Sequence, residues 1–169
     1  MYRHSDEVVN LDRLRSIAAY DLFNSDLAAE LAEICARSAA ELAMPTAAVQ
    51  AVLDTATATI ASNDAALTAA GGAANEVSIC PEVITTSAAV VIDDLSGHLG
   101  HRDNPFVRAG LVRSYAGIPL RLPDGHLLGS HCVLSAEPHH FTDNDIRALT
   151  ANSLDVIAAI TAHPRASSR

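Results

Sequence analysis

One stretch of this chain constrains its fold more than any other, the segment 114–137, with the sequence SYAGIPLRLPDGHLLGSHCVLSAE. Apolar residues alternate on both sides of the turn sequence Pro-Asp-Gly-His at 123–126, which predicts a β-hairpin. Because nearly every position of the two strands is apolar, we expect the hairpin to lie inside a sheet that is covered on both faces. Gly117 and Gly129 remove side chains where a backbone segment, a ligand, a bulge or a helix comes close.

Composition limits the class of protein and its partners. A length of 169 residues suits one domain, and an apolar fraction of 49% is enough for a core. The net charge of −9, with scattered arginines as the cations, argues against nucleic-acid binding. The sequence has no apolar run of about 18 residues and begins with polar residues, so we expect a cytoplasmic protein without a membrane span. Cys35, Cys80 and Cys132 are expected to be reduced and buried.

The remaining patterns predict two helices before the first strand and one helix after the last. The first two helices are predicted at 12–23 and 24–44, and a short helix and a helical turn at 76–85 and 105–109. Strands outside the hairpin are predicted at 46–54, 56–62 and 88–94. The segments 63–75 and 95–113 lack a clear period, and we interpret them as a mobile loop and a long irregular connection that forms a lid.

The last helix has the clearest local signal. Thr142 and Asp145 stand at the N-cap and N3 positions, where each side chain caps the other residue's amide, and Phe141 can pack on Ile146. The order of elements predicts an α+β protein with an antiparallel sheet, which carries the first and last helices on one face and the middle segment on the other.

Several motifs resemble those of a known family. They are Arg13, Leu14, Ala18, Tyr20 and Asp21, then SICPEVI at 78–84, VVIDDL at 90–95, NPFV at 104–107 and YAGIPLRLPDGHLLGSHCVL at 115–134. Over about residues 11–160 the chain resembles the GAF domains that precede bacterial histidine kinases and diguanylate cyclases. The resemblance implies a six-stranded antiparallel sheet with terminal helices on one face and a short helix plus lid loops on the other. We expect a flexible N-terminus at 1–10, a single GAF domain at 11–162 and a disordered tail at 163–169.

The resemblance also implies a function. We expect a stand-alone sensor that binds an unidentified small molecule, forms a homodimer through its N- and C-terminal helices and signals to a separate protein. It is expected not to be an enzyme, and no metal or cofactor is assigned. The alternatives are a ligand-free adaptor and a haem or thiol redox sensor. The candidate pocket residues are Cys80, Ile84, Phe106, Tyr115, Gly117 and His131.

The chain departs from the family pattern at several positions. Ile79 and Ser135 replace the usual aromatic residue and aspartate, His131 replaces a leucine, and the strand at 56–62 lacks its customary aromatic residues. Aliphatic pocket walls offer little stacking, which disfavours purine cyclic nucleotides as ligands.

The polar residues of the sequence leave alternatives open. The ring of His131 should point to the face opposite the one that carries Ser130 and Cys132. If that opposite face is the pocket, the ring would bind haem iron, a metal or an acidic group. If it is not, the ring is a hydrogen-bonded part of the core. The pairs His98 and His101, and His139 and His140, fit solvated loops better than a metal site. Arg108, Arg113 and Arg121 are either at the pocket mouth or solvated.

Overall fold

The computed structural model describes residues 5–167 and confirms the α+β class. The helices are α1 (Leu11–Ala18), α2 (Ser25–Glu41), α3 (Ala65–Ala70), α4 (Cys80–Thr86), α5 (Pro105–Arg108) and α6 (Asp143–Thr161). The strands are β1 (Thr46–Val52), β2 (Ala56–Ser62), β3 (Gly72–Ala74), β4 (Val90–Ile92), β5 (Ser114–Arg121) and β6 (Leu127–Ser135). They form one antiparallel sheet in the order β3-β2-β1-β6-β5-β4. Strands that are far apart in sequence, β1 and β6, therefore meet at the centre of the sheet.

The predicted hairpin is confirmed as β5 and β6. Both strands are buried over almost their whole length, as expected for strands covered on both faces. Gly129 is needed for the pairing with β1, because a side chain at this position would overlap the backbone of Gln50. The close packing of β1 on β6 is the reason for this glycine.

One face of the sheet packs on α2 and α6. Leu27, Leu31 and Ile34 of α2 meet Leu149 and Ile160 of α6 in the larger hydrophobic cluster of the molecule. This arrangement confirms that the first and last long helices share a face. Asn24 caps α2 by accepting from the amides of residues 26 and 27, and α6 begins with the predicted capping box.

The other face of the sheet packs on α4, a 3-10 turn at Leu95–Gly97 and α5. The prediction of a mobile loop at 63–75 is wrong for most of that segment. Asp64 caps α3, Gly71 ends it in the left-handed conformation with φ 74°, and the chain then enters β3, which pairs with β2. This pair supplies the sixth strand of the sheet.

The chain termini are more ordered than expected. In the segment 5–10, Val8 is buried, and the carbonyls of Glu7 and Val8 accept hydrogen bonds from the buried Arg13 guanidinium. At the other end, the amide of Arg165 donates to the carbonyl of Ala19 at 2.7 Å. Residues 7, 8 and 165 therefore contact the body of the domain, within the segments for which the sequence predicts flexible and disordered ends, while positions 1–4 and 168–169 lie outside the described residues. Within residues 5–167, no helix is long and apolar enough to cross a membrane.

Candidate functional site

A cavity of about 420 Å³ lies between the sheet and the segments α3, α4 and α5. Its walls are mainly apolar, with Leu67 of α3, Ile79 before α4 and Val112 before β5 among the contributing residues. Phe106 and Leu111 stand at the mouth, where their side chains are 40% and 62% exposed. The volume lies in the range of pockets that hold small molecules.

Cys80, Tyr115 and Cys132 line the floor of the cavity. Together with the buried Ser130, whose hydroxyl contacts Cys80 and Tyr115, they form a group of side chains called here the thiol cluster. Cys80 is the first residue of α4, Tyr115 lies on β5, and Ser130 and Cys132 lie two residues apart on the same face of β6. The Cys80 sulfur is 3.3 Å from the Tyr115 hydroxyl and 3.2 Å from the Ser130 hydroxyl, and the two hydroxyls are 3.3 Å apart. The cluster therefore joins three elements that are distant in sequence.

Hydrogen bonds polarise the thiol cluster. The pKa of Cys80 is lowered to about 6, mainly by the neighbouring Cys132 thiol. Burial acts in the opposite direction, and the hydroxyls of Ser130, Tyr115 and Ser78 contribute smaller decreases. The pKa of Cys132 is raised, first by its hydrogen bond to Cys80 and then by burial. Burial also raises the pKa of Tyr115, which therefore keeps its proton and remains a donor.

Cys35 shows what burial does without such partners. It lies on α2, on the opposite face of the sheet, and its thiol makes a single long contact of 3.8 Å to the carbonyl of Ala61. Burial raises the pKa of Cys35 to about 12. The chain therefore contains an inert thiol and an activated thiol cluster, separated by the sheet.

The side wall of the cavity is also polar. The Thr59 hydroxyl of β2 donates to the side-chain Oε1 of Gln50 at 3.0 Å, and the Thr57 hydroxyl donates to the side-chain Oδ1 of Asn75 at 2.8 Å. Gln50, Thr57 and Thr59 all line the cavity. These strands present hydrogen-bonding groups to a bound molecule, whereas α3 and α5 present apolar ones.

Cationic side chains do not line the cavity in the described part of the chain, where Asp64 is the one charged lining residue. Arg113 instead pairs with Asp94, whose pKa it lowers to about 2, and Arg121 donates to the carbonyl of Gly125. Arg108 is exposed on α5 and is not a lining residue. An anionic ligand would therefore find no cationic partner among the lining residues.

The structure divides the six predicted pocket residues into two groups. Cys80, Phe106 and Tyr115 line the cavity. Ile84 does not, because it is fully buried in the packing between α4 and the sheet. Gly117 also has no contact with the cavity, and its role is indirect: a side chain there would overlap the Tyr115 hydroxyl, with the ring carbon Cζ only 2.8 Å away.

His131 lies on the opposite face of the sheet, so its assignment to the pocket is corrected. Its Nε2 is 2.8 Å from the Ser38 hydroxyl on α2, and its Nδ1 is 3.1 Å from the carbonyl of Ala48. Asn152 of α6 donates to the same Ser38 hydroxyl at 2.9 Å. Both ring nitrogens are thus used within the core, and burial lowers the pKa of His131 to about 4.

The other histidines make local contacts. His140 pairs with Asp93 at 2.9 Å, and His139 is 3.8 Å from Asp145. His101 departs from the expectation of a solvated loop residue, since it is buried and pairs with Glu82 of α4. Within residues 5–167, no group of three or more histidine, cysteine or acidic side chains could hold a metal ion.

A comparison with known families gives the relationship of the whole chain. The GAF domain family matches residues 26–160. This chain belongs to the GAF domain family. No curated protein matches the sequence.

Solved structures that resemble this GAF domain include a GAF domain of a larger enzyme and two reductases. The GAF domain of an Acinetobacter phosphoenolpyruvate-protein phosphotransferase superposes with a TM-score of 0.67 at 16% identity, over 90% of this chain and 92% of that one. The type II free methionine-R-sulfoxide reductase of Thermoplasma acidophilum has a TM-score of 0.65 at 12% identity, over 85% of this chain and 98% of that one. The free methionine-R-sulfoxide reductase of Neisseria meningitidis has a TM-score of 0.63 at 17% identity, over 96% of this chain and 95% of that one.

These neighbours correct the expectation that the chain is not an enzyme. Several proteins with the same fold are reductases, so membership of the GAF domain family does not exclude catalysis. The identities are low, and the likeness is one of fold.

Some residues of the cavity and of the thiol cluster were not predicted as site residues. Ser130 and Cys132 follow from the alternation of β6 once the cavity is known to lie on their face. Gln50 and Thr59 carry a weaker signal, because polar residues inside an apolar strand pair are unusual unless they face one another or a ligand.

Proposed function

We propose that this GAF domain is a sensor that binds a small molecule in the cavity and passes its occupancy to α2 and α6. The observation that carries the proposal is the cavity itself, with a volume of about 420 Å³ between the sheet and three short helices. It has an apolar mouth and a polar floor, which is the usual arrangement of a small-molecule site.

The lining favours a neutral, mainly apolar ligand. Leu67, Val112 and Leu134 offer apolar contacts, and Gln50 and the thiol cluster offer hydrogen bonds at one end. A phosphate or carboxylate would have to be desolvated without a cationic partner and beside the Asp64 carboxylate, which is costly. A ligand with one polar head and an aliphatic or alicyclic body satisfies both parts of the wall.

Strand β6 supports the transfer of occupancy to the helices. Its residues alternate between faces, so Cys132 is at the cavity floor while the adjacent His131 hydrogen-bonds to Ser38 of α2. Asn152 extends this contact to α6 and also donates to Glu41 at 2.8 Å. If β6 can adopt two positions and the ligand has a higher affinity for one of them, binding would shift the helices through these hydrogen bonds.

We further propose that α2 and α6 form a homodimer that signals to a separate protein, as in GAF domains of bacterial signalling systems. The outward faces of both helices carry alanines among charged residues, and Leu154 of α6 is 70% exposed. A second copy of the chain would cover this side chain. Size-exclusion chromatography with light scattering on the wild type and on Leu154→Arg tests this part, and equal monomeric masses would refute it.

The binding proposal is tested by native mass spectrometry of the full chain purified from its own host. We expect a retained small molecule in the wild type. Ala73 and Ala74 supply a matched pair of variants, since Ala73 lines the cavity and Ala74, the next residue of β3, is exposed. Ala73→Phe should lose the ligand because its ring fills the cavity, whereas Ala74→Phe should keep it.

Two outcomes contradict the binding proposal. A wild-type protein that carries no additional mass would favour an adaptor role without a ligand. Equal retention in Ala73→Phe and Ala74→Phe would show that the molecule binds outside this cavity.

A further inference from the structure

We propose that Cys80 and Cys132 form a dithiol that hydrogen peroxide, or a small organic hydroperoxide, oxidises reversibly to a disulfide at the floor of the cavity. The proposal does not depend on the sensor function above, because it concerns the reactivity of two side chains and not the retention of a ligand.

The geometry brings together a nucleophile, a second thiol and hydrogen-bond donors. Both cysteines line the same cavity and belong to the same buried cluster, and the Ser130 hydroxyl that contacts the Cys80 sulfur lies two residues from Cys132 on one face of β6. The hydroxyls of Ser130 and Tyr115 lie 3.2 and 3.3 Å from the same sulfur, where they can donate to a thiolate. Cys80 is therefore held next to its reaction partner before any oxidant arrives.

Access to the thiols is through the cavity. Cys80 and Cys132 are 4% and 0% exposed, so bulky reagents cannot approach them from outside. A hydroperoxide is much smaller than the cavity of about 420 Å³ and can enter at the mouth beside Phe106. The site therefore selects small oxidants by size.

The ionisation of the thiols agrees with this assignment. A pKa of about 6 leaves Cys80 largely as thiolate at neutral pH, and the thiolate is the reactive form. The raised pKa of Cys132 keeps its proton in place until Cys80 has reacted. Cys35, with a pKa of about 12, is an unreactive thiol in the same chain.

The reaction has two steps. In the first, the Cys80 thiolate attacks one oxygen of the peroxide, so that an S–O bond forms and the O–O bond breaks. The departing hydroxide takes up the proton that Cys80 released to the solvent when it ionised, and becomes water. The sulfur is oxidised by two electrons to a sulfenic acid, and the peroxide is reduced. In the second, the Cys132 sulfur attacks the Cys80 sulfur, an S–S bond forms, and the hydroxyl group leaves with the Cys132 proton as water. Two thiols and one hydrogen peroxide thus give one disulfide and two waters.

The absence of lysine makes the product easy to map. Trypsin cuts this chain after arginine only, which places Cys35, Cys80 and Cys132 in separate peptides, 16–37, 38–102 and 122–147. The reduced full chain is treated with one equivalent of hydrogen peroxide, denatured, labelled with N-ethylmaleimide and digested. We expect a loss of about 2 Da, one maleimide per chain on Cys35, and a link between peptides 38–102 and 122–147 that dithiothreitol reverses.

Variants assign the roles of the two cysteines. Cys132→Ser should stop the reaction at a Cys80 sulfenic acid that dimedone traps, and Cys80→Ser should abolish oxidation. Cys35→Ser is the matched control and should form the disulfide at the wild-type rate. We expect Cys80 to be oxidised at least about ten times faster than Cys35.

Other products overturn the proposal. These are an unchanged mass, a disulfide that contains Cys35, a link between two chains, or equal oxidation of Cys35 and Cys80. The wild-type peptide map decides the matter even where a cysteine variant fails to fold.

Discussion

Lowering the pH from 7 to 5 should destabilise the protein, and His131 should account for about 2 kcal/mol of the change. The ring is fully buried, and burial lowers its pKa to about 4, with the positive charge of Arg37 acting in the same direction. In the unfolded chain the pKa returns to about 6.5. Between these values the unfolded state binds the proton more readily, so stability falls as the pH falls through 6.5, and the loss levels off below 4.

The magnitude follows from the two pKa values. A pKa that falls from about 6.5 to about 4 corresponds to about 3 kcal/mol when the pH is below both values. At pH 5 the unfolded histidine is almost fully protonated and the folded one is almost neutral, which gives about 2 kcal/mol relative to pH 7. The effect is a large fraction of the stability of an ordinary domain.

The assay is urea denaturation at pH 7 and at pH 5, followed by far-ultraviolet circular dichroism because the chain lacks tryptophan. His131→Leu introduces the residue that the family pattern has at this position, and it leaves Ser38 with its hydrogen bond from Asn152. Titrations elsewhere occur in both proteins and cancel in the comparison. The stability difference between wild type and variant should therefore move by about 2 kcal/mol in favour of the variant at pH 5.

Equal losses of stability in wild type and His131→Leu would refute this reasoning. A second measurement does not depend on the variant. The Cε1–H resonance of His131 in the folded protein should stay constant from pH 7 to pH 5, and a midpoint near 6.5 would show that the ring is not shielded as the structure indicates.

Three further predictions follow from single contacts and can be measured by denaturation. Arg13→Leu should cost at least about 3 kcal/mol, because the guanidinium donates to four backbone carbonyls and their buried acceptors would be left unpaired. Gly117→Ala should cost about 1–3 kcal/mol because its methyl group would overlap Tyr115, whereas Gly97→Ala, with open space around it, should be close to neutral. Thr142→Ala should cost about 1 kcal/mol through the loss of the α6 cap, seen as a lower melting temperature.

Local signals explain which elements could be predicted from the sequence. The β5–β6 hairpin and the start of α6 depend on alternation and on a capping box, both of which act over a few residues. Segment 63–75 has alanine and glycine at most positions and hence no period. Its order depends on the cap from Asp64 and on pairing with β2, which only the folded sheet provides.

The candidate site was harder to predict because its position depends on which face of the sheet is open. Alternation along β6 correctly separates His131 from Ser130 and Cys132 by face, but it does not say which face meets the long helices. The answer comes from the pairing of β6 with β1, and from the packing of α2, with Ser38 directly opposite His131. His131 therefore contacts the helix layer, and its two neighbours belong to the thiol cluster on the other face, where Cys132 lines the cavity. Because Cys132 is bonded directly to His131, which hydrogen-bonds to Ser38 of α2, we expect the oxidation state of Cys132 and the environment of His131 to be coupled.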